Sequence, residues 1–214
     1  MIRAASSTFT CCTGAGCTGG VSNDAATCSI LGDIYTANAA NWQVNLRTGW
    51  QIAATGTPAD YCSFYGTGCD ASGVLTLLDL RSEEFSSSVP VTLGNLTGLT
   101  DLWFHGNKFV GSIPSSFGRL TALTQLMFFD CQLSGTIPSA LGSLTRLKYL
   151  YLSSNQLNGT IPSTFSSLTS LAILCVCSLL PLALYLVRLH APSANPGSSI
   201  LTNSAVAFLI GSEA

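Results

Sequence analysis

The sequence has little charge. Aspartate, glutamate, lysine and arginine make up 8% of its 214 residues, whereas an average soluble domain carries about 25% of them. The net charge is −2, so the chain has no basic surface of the kind that holds nucleic acid. A surface so poor in charge suits a secreted, glycosylated or membrane-bound protein better than a cytosolic one.

Catalytic and metal-binding motifs are missing as well. The two histidines, His105 and His190, lie far apart without metal-ligand spacing, and the sequence has no kinase catalytic loop and no Gly-x-Ser-x-Gly elbow. A Gly-x-Gly-x-x-Gly match at residues 14–19 is not followed by a βαβ pattern that could use it. We therefore predict a protein that is not an enzyme and has no catalytic residues, no cofactor and no metal.

The N-terminal residues 1–27 lack the apolar run of about 7–15 residues that follows the basic start of a secretory signal. Arg3 is present, but small polar residues and glycines follow it. We expect a flexible low-complexity segment here. Either the protein is not secreted by that route, or the true start of the chain is missing.

What the sequence does contain is a repeat of 24 residues over positions 96–167. Leu96, Leu120 and Leu144 open its three rows, and each row has the form L-x-x-L-x-L-x-x-N/C-x-L. This period and pattern are the leucine-rich-repeat signature. The other shared columns are Asn107, Cys131 and Asn155, then Gly111, Gly135 and Gly159, then the Ile-Pro pairs at 113–114, 137–138 and 161–162.

The repeat predicts an α/β leucine-rich-repeat solenoid of about four coils. The leucines point inward and stack from coil to coil, because one coil cannot bury its apolar side alone. An asparagine where the chain leaves the strand can bond turn backbone that nothing else would satisfy. Residues 72–95 form a degenerate first coil, in which Glu83 replaces the asparagine and Ser87 replaces the glycine.

This row form resembles the plant-type leucine-rich repeat, which occurs in the extracellular domains of receptor-like kinases and receptor-like proteins and in some protist surface proteins. Trp50, Cys62, Phe64, Gly66 and Cys69 stand where that family has its N-terminal helical cap. The resemblance implies such a cap over residues 28–71, with a Cys62–Cys69 disulfide. The nine cysteines are odd in number, so at least one is free or intermolecular, and we expect Cys131 to be free.

The apolar segment 168–190 admits two interpretations. Residues 168–187 carry no charge and are followed by Arg188, which favours a single membrane span of about 20 residues. Leu168, Leu171 and Leu174 also continue the repeat columns, which favours a last coil. A span would leave the tail 191–214 in the cytoplasm and the repeats outside, exposing glycosylation acceptors at Asn95 and Asn158.

The strand positions that alternate with the leucines form the concave face of such a solenoid. Several carry large apolar side chains that core packing does not need, and exposed patches of this kind usually mark partner surfaces. An alternative is that the N-terminal segment or a second copy covers them. The predicted partner-binding residues are Trp103, His105, Met127, Phe129, Tyr149 and Tyr151, bordered by Asp79, Arg81, Asp101 and Asp130.

The function predicted from these features is a binding module. We expect a cell-surface or extracellular domain, attached to a membrane, that recognises a peptide or protein on its concave face. Two alternatives remain open: a structural surface-coat protein without a single ligand, and a truncated receptor relative without its own activity.

Overall fold

The structure is a computed structural model that describes residues 25–38 and 60–176 and the backbone of Val187–Arg188. Trp50, the glycine motif at 14–19, His190 and the tail 191–214 lie outside the described residues. The helix is α1 (Ala25–Asn38), and the strands are β1 (Thr67–Cys69), β2 (Leu75–Asp79), β3 (Asp101–Trp103), β4 (Val110–Gly111), β5 (Gln125–Met127), β6 (Gln132–Thr136), β7 (Tyr149–Tyr151), β8 (Gln156–Asn158), β9 (Ile173–Cys175) and β10 (Val187–Arg188).

The repeats form a solenoid with one parallel strand per coil. A seven-stranded sheet has the order β1-β2-β3-β5-β7-β9-β10. Strands β2, β3, β5, β7 and β9 are parallel, and the short strands β1 and β10 close the two ends in antiparallel pairing. Equivalent repeat positions pair with each other, so Leu102 faces Leu126 and Leu126 faces Leu150. The register predicted from the sequence columns is therefore confirmed.

The core is built from the leucine columns. The central residue of each concave strand is buried, while the residues on either side of it are partly exposed. Phenylalanines fill the space behind the strands, with the Phe104 ring 5.3 Å from both Phe109 and Phe128. Burying so many apolar side chains supplies the main stabilising free energy of the stack.

The far side of each coil is made by a second sheet and by short 3-10 helices. Strands β4, β6 and β8 pair in parallel, and the 3-10 helices span Val91–Asn95, Ser115–Arg119, Ser139–Ser143 and Ser163–Ser167. Each of these helices follows a proline, whose fixed φ holds the extended segment before the turn. The sequence columns did not predict this second sheet.

The asparagine column bonds the turn backbone, as its position in the repeat predicted. The amide of Asn107 accepts from the N–H groups of Glu83 and Phe85, at 3.0 Å each. It donates to the carbonyls of Leu80 and Phe104, at 2.8 Å each. One buried side chain thus satisfies four backbone groups in two neighbouring coils.

The N-terminal end of the stack is covered by α1 and by the loop that precedes β2. Helix α1 buries Ile30, Leu31 and Ile34 and packs against the 3-10 helix Val91–Asn95. Cys62 and Cys69 are joined by a disulfide that ties the 3-10 turn at 61–63 to β1. These elements cover the apolar edge of the first coil, which water would otherwise contact.

The predicted membrane span over 168–187 is wrong for its first half. Leu168, Leu171, Leu174 and Val176 are buried in the repeat columns, and β9 pairs with β7 in the repeat register. Strand residues that stack on the preceding coil cannot also belong to a membrane helix, so a fifth coil begins here instead of the stack ending after about four. In residues 25–38 and 60–176, no helix is long and apolar enough to cross a membrane. Residues 177–186 lie outside the described part.

Candidate partner-binding face

The candidate site is the concave face of the parallel strands. The register aligns one column of side chains through Asp101, Gln125 and Tyr149, and a second through Trp103, Met127 and Tyr151. All six are partly exposed, while the leucine between them on each strand is buried. Of the predicted residues, the structure therefore places Asp101, Trp103, Met127, Tyr149 and Tyr151 in two adjacent rows across the coils. The rows begin at Leu77 and Asp79 and reach Ile173 and Cys175.

Trp103 is engaged by residues of the preceding coil. The Arg81 guanidinium carbon lies 5.2 Å from the centroid of the Trp103 ring, within the range of a cation–π contact. The same guanidinium forms an ion pair with Asp79, with nitrogen and oxygen 2.8 Å apart. Arg81 thus covers part of the Trp103 ring and neutralises one carboxylate of the border. The sequence columns placed these three residues near one another but did not predict this contact.

A row of aromatic rings crosses the next coils. The His105 and Phe129 rings stack with centroids 4.2 Å apart and planes 14° apart, and Phe129 meets Tyr151 edge-on at 6.2 Å. Burial lowers the pKa of His105 below its ordinary value, and the nearby Arg81 charge lowers it further, with Asp79 and Asp130 opposing. His105 is therefore a neutral ring that extends the aromatic row.

Three polar atoms on this face are buried and make no hydrogen bond within the described residues. They are Oδ1 of Asp101, Nε1 of Trp103 and Nδ1 of His105, all carried by β3 and its two-residue extension. The other carboxylate oxygen of Asp101 accepts from the Thr100 hydroxyl at 2.7 Å. Buried polar groups without partners are costly, so this strand is the least satisfied part of the face.

The rim of the face follows a backbone feature that the sequence did not reveal. Ser82, Gly106, Asp130 and Ser154 occupy one repeat column, and all four have positive φ, from 53° to 69°. Only Gly106 adopts this left-handed conformation without a steric cost. The turn after each strand demands it, and it directs Asp130 outward to an exposed position beside the aromatic row.

Cys131 lies directly beneath this face, in the asparagine column. Its sulfur is a free, buried thiol, 3.5 Å from the Phe104 carbonyl and 3.6 Å from the Phe129 carbonyl. Burial raises the pKa of the thiol to about 11. The residue is therefore a packing group that remains neutral at physiological pH, as expected for a free cysteine in this column.

The two predicted glycosylation acceptors lie away from the concave strands. Asn95 ends a 3-10 helix on the far side of its coil, and Asn158 ends β8 in the second sheet. Both side chains are exposed.

The described residues contain no group of three histidine, cysteine or acidic side chains that is arranged to hold a metal ion.

A family model described as Leucine Rich Repeat matches the chain three times, at residues 98–120, 122–144 and 146–168. Curated protein sequences contain no match to the chain. The pairing of Leu102, Leu126 and Leu150 lies within these three matched segments.

Solved structures of similar fold include plant receptor ectodomains. The leucine-rich-repeat ectodomain of the receptor kinase SOBIR1 from Arabidopsis thaliana aligns with a TM-score of 0.57 at 24% identity, covering 71% of this chain and 78% of that one. PEPR1 in its structure with AtPEP1 aligns with a TM-score of 0.52 at 28% identity, covering 71% of this chain and 20% of that one. The ectodomain of GASSHO1/SCHENGEN3 from Arabidopsis thaliana, in complex with CASPARIAN STRIP INTEGRITY FACTOR 2, is 40% identical, with a TM-score of 0.47.

The GASSHO1/SCHENGEN3 match covers 48% of this chain and 12% of that chain, so this chain spans a small part of the length of that ectodomain. The repeat columns, the strand register and the family matches agree with one another. Residues 98–168 therefore carry three leucine-rich repeats, and the solenoid has the fold of the SOBIR1 leucine-rich-repeat ectodomain.

Proposed function

We propose that this chain is a non-enzymatic binding module that recognises a peptide or protein partner on its concave face. The observation that carries the proposal is the pair of rows across β3, β5 and β7. Trp103, Met127, Tyr149 and Tyr151 remain partly exposed there, although the leucines beside them already complete the core. Tryptophan and tyrosine are the residues that most often dominate binding energy at protein interfaces.

The comparison with PEPR1 supports a partner of this class. Its structure was solved together with AtPEP1 and matches 71% of this chain. The similarity covers a fifth of that receptor, so the partner itself is not carried over. What carries over is a repeat scaffold whose strands present side chains in fixed rows, and such rigid presentation reduces the entropy lost on binding.

The alternative of a self-assembling surface coat has less support. A coat built by strand addition needs open sheet edges, because unpaired edge N–H and C=O groups are the template for joining chains. Here the two edge strands of the large sheet are short, with three residues in β1 and two in β10, and very short edge strands are poor templates for a further strand. A truncated receptor relative without activity would keep the fold and lack binding, which the following experiment distinguishes.

The test is alanine substitution on the face. Trp103→Ala and Tyr151→Ala should each weaken binding of a partner isolated by pull-down by about 2 kcal/mol, as hot-spot truncations do. Gln156→Ala, on the second sheet, is the matched control and should leave binding unchanged. Neither ring occupies a leucine column, so melting temperatures should change little. Wild-type affinity in both face variants, or unfolding of both, would refute the proposed site.

We also propose that the repeats function outside the cell, with Asn95 and Asn158 glycosylated and the Cys62–Cys69 disulfide retained. Both acceptor side chains are exposed and lie away from the concave rows, so glycans there would leave the face open. When the chain is expressed through a secretory route, Asn95→Gln and Asn158→Gln should each remove one glycan, as measured by mass spectrometry. Secreted protein that carries no glycan at Asn95 and none at Asn158 would contradict this assignment.

A further inference from the structure

The concave face is divided along the solenoid axis into a charged part and an uncharged part. The charged part, which we call the acidic end, comprises Asp79, Arg81, Asp101 and Asp130 in the first three coils. The uncharged part, which we call the apolar end, comprises Tyr149, Tyr151 and Ile173 in the last two. The two ends are joined by the row His105, Phe129 and Tyr151.

The acidic end carries an excess of negative charge that the fold does not compensate. Arg81 neutralises Asp79 through the ion pair at 2.8 Å. Among the described residues, Asp101 and Asp130 have no ion-pair partner. His105, which stands between them, is held neutral by burial. The two remaining carboxylates therefore set the charge of this end.

Asp101 has unused hydrogen-bonding capacity at the face. One of its oxygens is bonded to the Thr100 hydroxyl, while Oδ1 is buried with no donor in the described residues. A carboxylate oxygen is an acceptor only, so an N–H donor from a ligand complements this position. The Asp101 side chain as a whole is partly exposed on the face.

Building on the proposed function, we propose that the partner is a peptide with a basic segment over the acidic end and an apolar segment over the apolar end. Lysine and arginine side chains supply both the charge and the N–H donors that Asp101 and Asp130 lack. Apolar side chains of the ligand bury the half-exposed rings of Tyr149 and Tyr151 and leave no charge buried without a partner. The order of the two segments along the ligand fixes its direction across the coils.

Electrostatic complementarity of this kind acts mainly on specificity and association rate. Each exposed or half-exposed pair contributes only a small part of the binding free energy, because water and salt screen it. Two such pairs together correspond to roughly a tenfold preference for a basic over an acidic ligand. The preference should weaken in high salt, where the Debye length falls to about 3 Å at 1 M.

The test uses two synthetic probe peptides with blocked ends, Lys-Arg-Lys-Gly-Gly-Leu-Phe-Leu and Glu-Glu-Glu-Gly-Gly-Leu-Phe-Leu. Binding to the full chain is followed by Trp103 indole and Tyr149 ring chemical shifts. We expect the basic probe to bind about tenfold more tightly in low salt. A nitroxide on its leucine end should broaden Tyr149 and Ile173 signals more than those of Leu77.

The variant for this test is Asp101→Asn combined with Asp130→Asn, which keeps side-chain size and, at position 130, a residue suited to positive φ. It should bind the two probes equally. Asp33→Asn, on the exposed side of α1, changes charge off the face and should keep the preference. If both probes bind the wild type equally, the charge preference is wrong and the binding face stands. If neither probe shifts Trp103 or Tyr149, the proposed ligand class is wrong, and the alanine variants of the face decide the proposed function separately.

Discussion

At the scale of single residues, the asparagine column shows how one side chain connects two coils. The amide of Asn107 satisfies four backbone groups, and that of Asn155 bonds Leu133 N–H at 2.9 Å and the Phe128 carbonyl at 2.6 Å. Cys131 occupies the same position with a thiol, which is a weak donor and a weak acceptor. The third coil is therefore less firmly bonded to the second coil than the second is to the first or the fourth is to the third.

Replacing Cys131 with asparagine should stabilise the protein. The amide would restore bonds to the Phe104 carbonyl and to backbone N–H groups of the preceding coil, each worth about 0.5–1.5 kcal/mol. We expect the free energy of unfolding in urea to rise by about 1 kcal/mol. Cys131→Ala is the control and should lower it, because it removes the sulfur without adding an amide. A loss of stability in Cys131→Asn would mean that the site cannot accommodate the larger group.

His105 should make stability depend on pH. Its pKa in the folded chain is lowered by burial, so the fold favours the neutral ring. That contribution is complete above the unfolded pKa of about 6.5 and is lost as the pH falls from there through the lowered folded pKa. The free energy of unfolding should therefore decrease between about pH 7 and pH 5.

The control for this pH dependence is His105→Phe, which keeps the stack on Phe129 and cannot be protonated. Both proteins should carry His190→Gln, so that His105 is the only histidine that distinguishes them. The slope of stability against pH over this interval should be smaller in His105→Phe. Equal slopes would show that His105 does not determine it.

Sequence alone predicted the residue columns but not the contacts among exposed side chains. Leucine and asparagine positions followed from the period, because each coil repeats the same backbone. The Arg81–Trp103 contact and the His105–Phe129 stack depend on rotamers, which a column does not specify. The left-handed φ at Asp130 and Ser154 was hidden because only Gly106, in the same column, has the residue type that signals it.

At the scale of elements, the 3-10 helices of adjacent coils pack so closely that glycine is needed between them. A Cβ on Gly142 would lie 2.6 Å from both the Cβ and the carbonyl oxygen of Thr164 in the next coil. Gly94 and Gly118 meet the next coil in the same way. Ser166 occupies this column in the last 3-10 helix and is exposed. The position equivalent to Thr164 in the following coil is Arg188, which lies in β10 and not in another 3-10 helix.

Gly142→Ala should destabilise the protein by about 1–3 kcal/mol, the usual cost of overpacking. In an open 3-10 helix the same change would be neutral or slightly stabilising. Ser166→Ala, in the same repeat column, is the matched control and should change the free energy of unfolding by less than about 0.5 kcal/mol. Urea denaturation of the two variants measures both values, and similar effects at the two positions would contradict the close-packing argument.

The C-terminal segment illustrates where sequence patterns compete. Uncharged residues 168–187 satisfy the length of a membrane span, and the same leucines satisfy the repeat columns. Leu171 and Leu174 are buried against the preceding coil, whose apolar edge needs a cover. A hydropathy window takes no account of the preceding coil, whereas the repeat register does. The register therefore predicted the structure of residues 168–176 better than hydropathy did.

At the scale of the whole molecule, the solenoid is a one-dimensional stack. Each coil contacts only its neighbours, so stability is close to a sum of coil and interface terms, and the ends are the weak points. The N-terminal end depends on α1 and on the disulfide-linked turn, where Tyr61 and Phe64 are buried and the Tyr61 hydroxyl donates to the Gly73 carbonyl at 3.0 Å. Loosening this cap should therefore destabilise the first coil most and each later coil less.

The double variant Cys62→Ser, Cys69→Ser tests this order. Removing a disulfide that closes a short loop should lower the free energy of unfolding by about 2–3 kcal/mol. Because the cap contacts only the first coils, amide hydrogen exchange should accelerate most in β2, less in β3 and least in β7. Cys131→Ala provides the comparison, since its effect should be centred on β5 and its neighbours. Uniform acceleration from β2 to β9 in the double variant would mean that the stack unfolds as one cooperative unit, and the graded model would then be wrong.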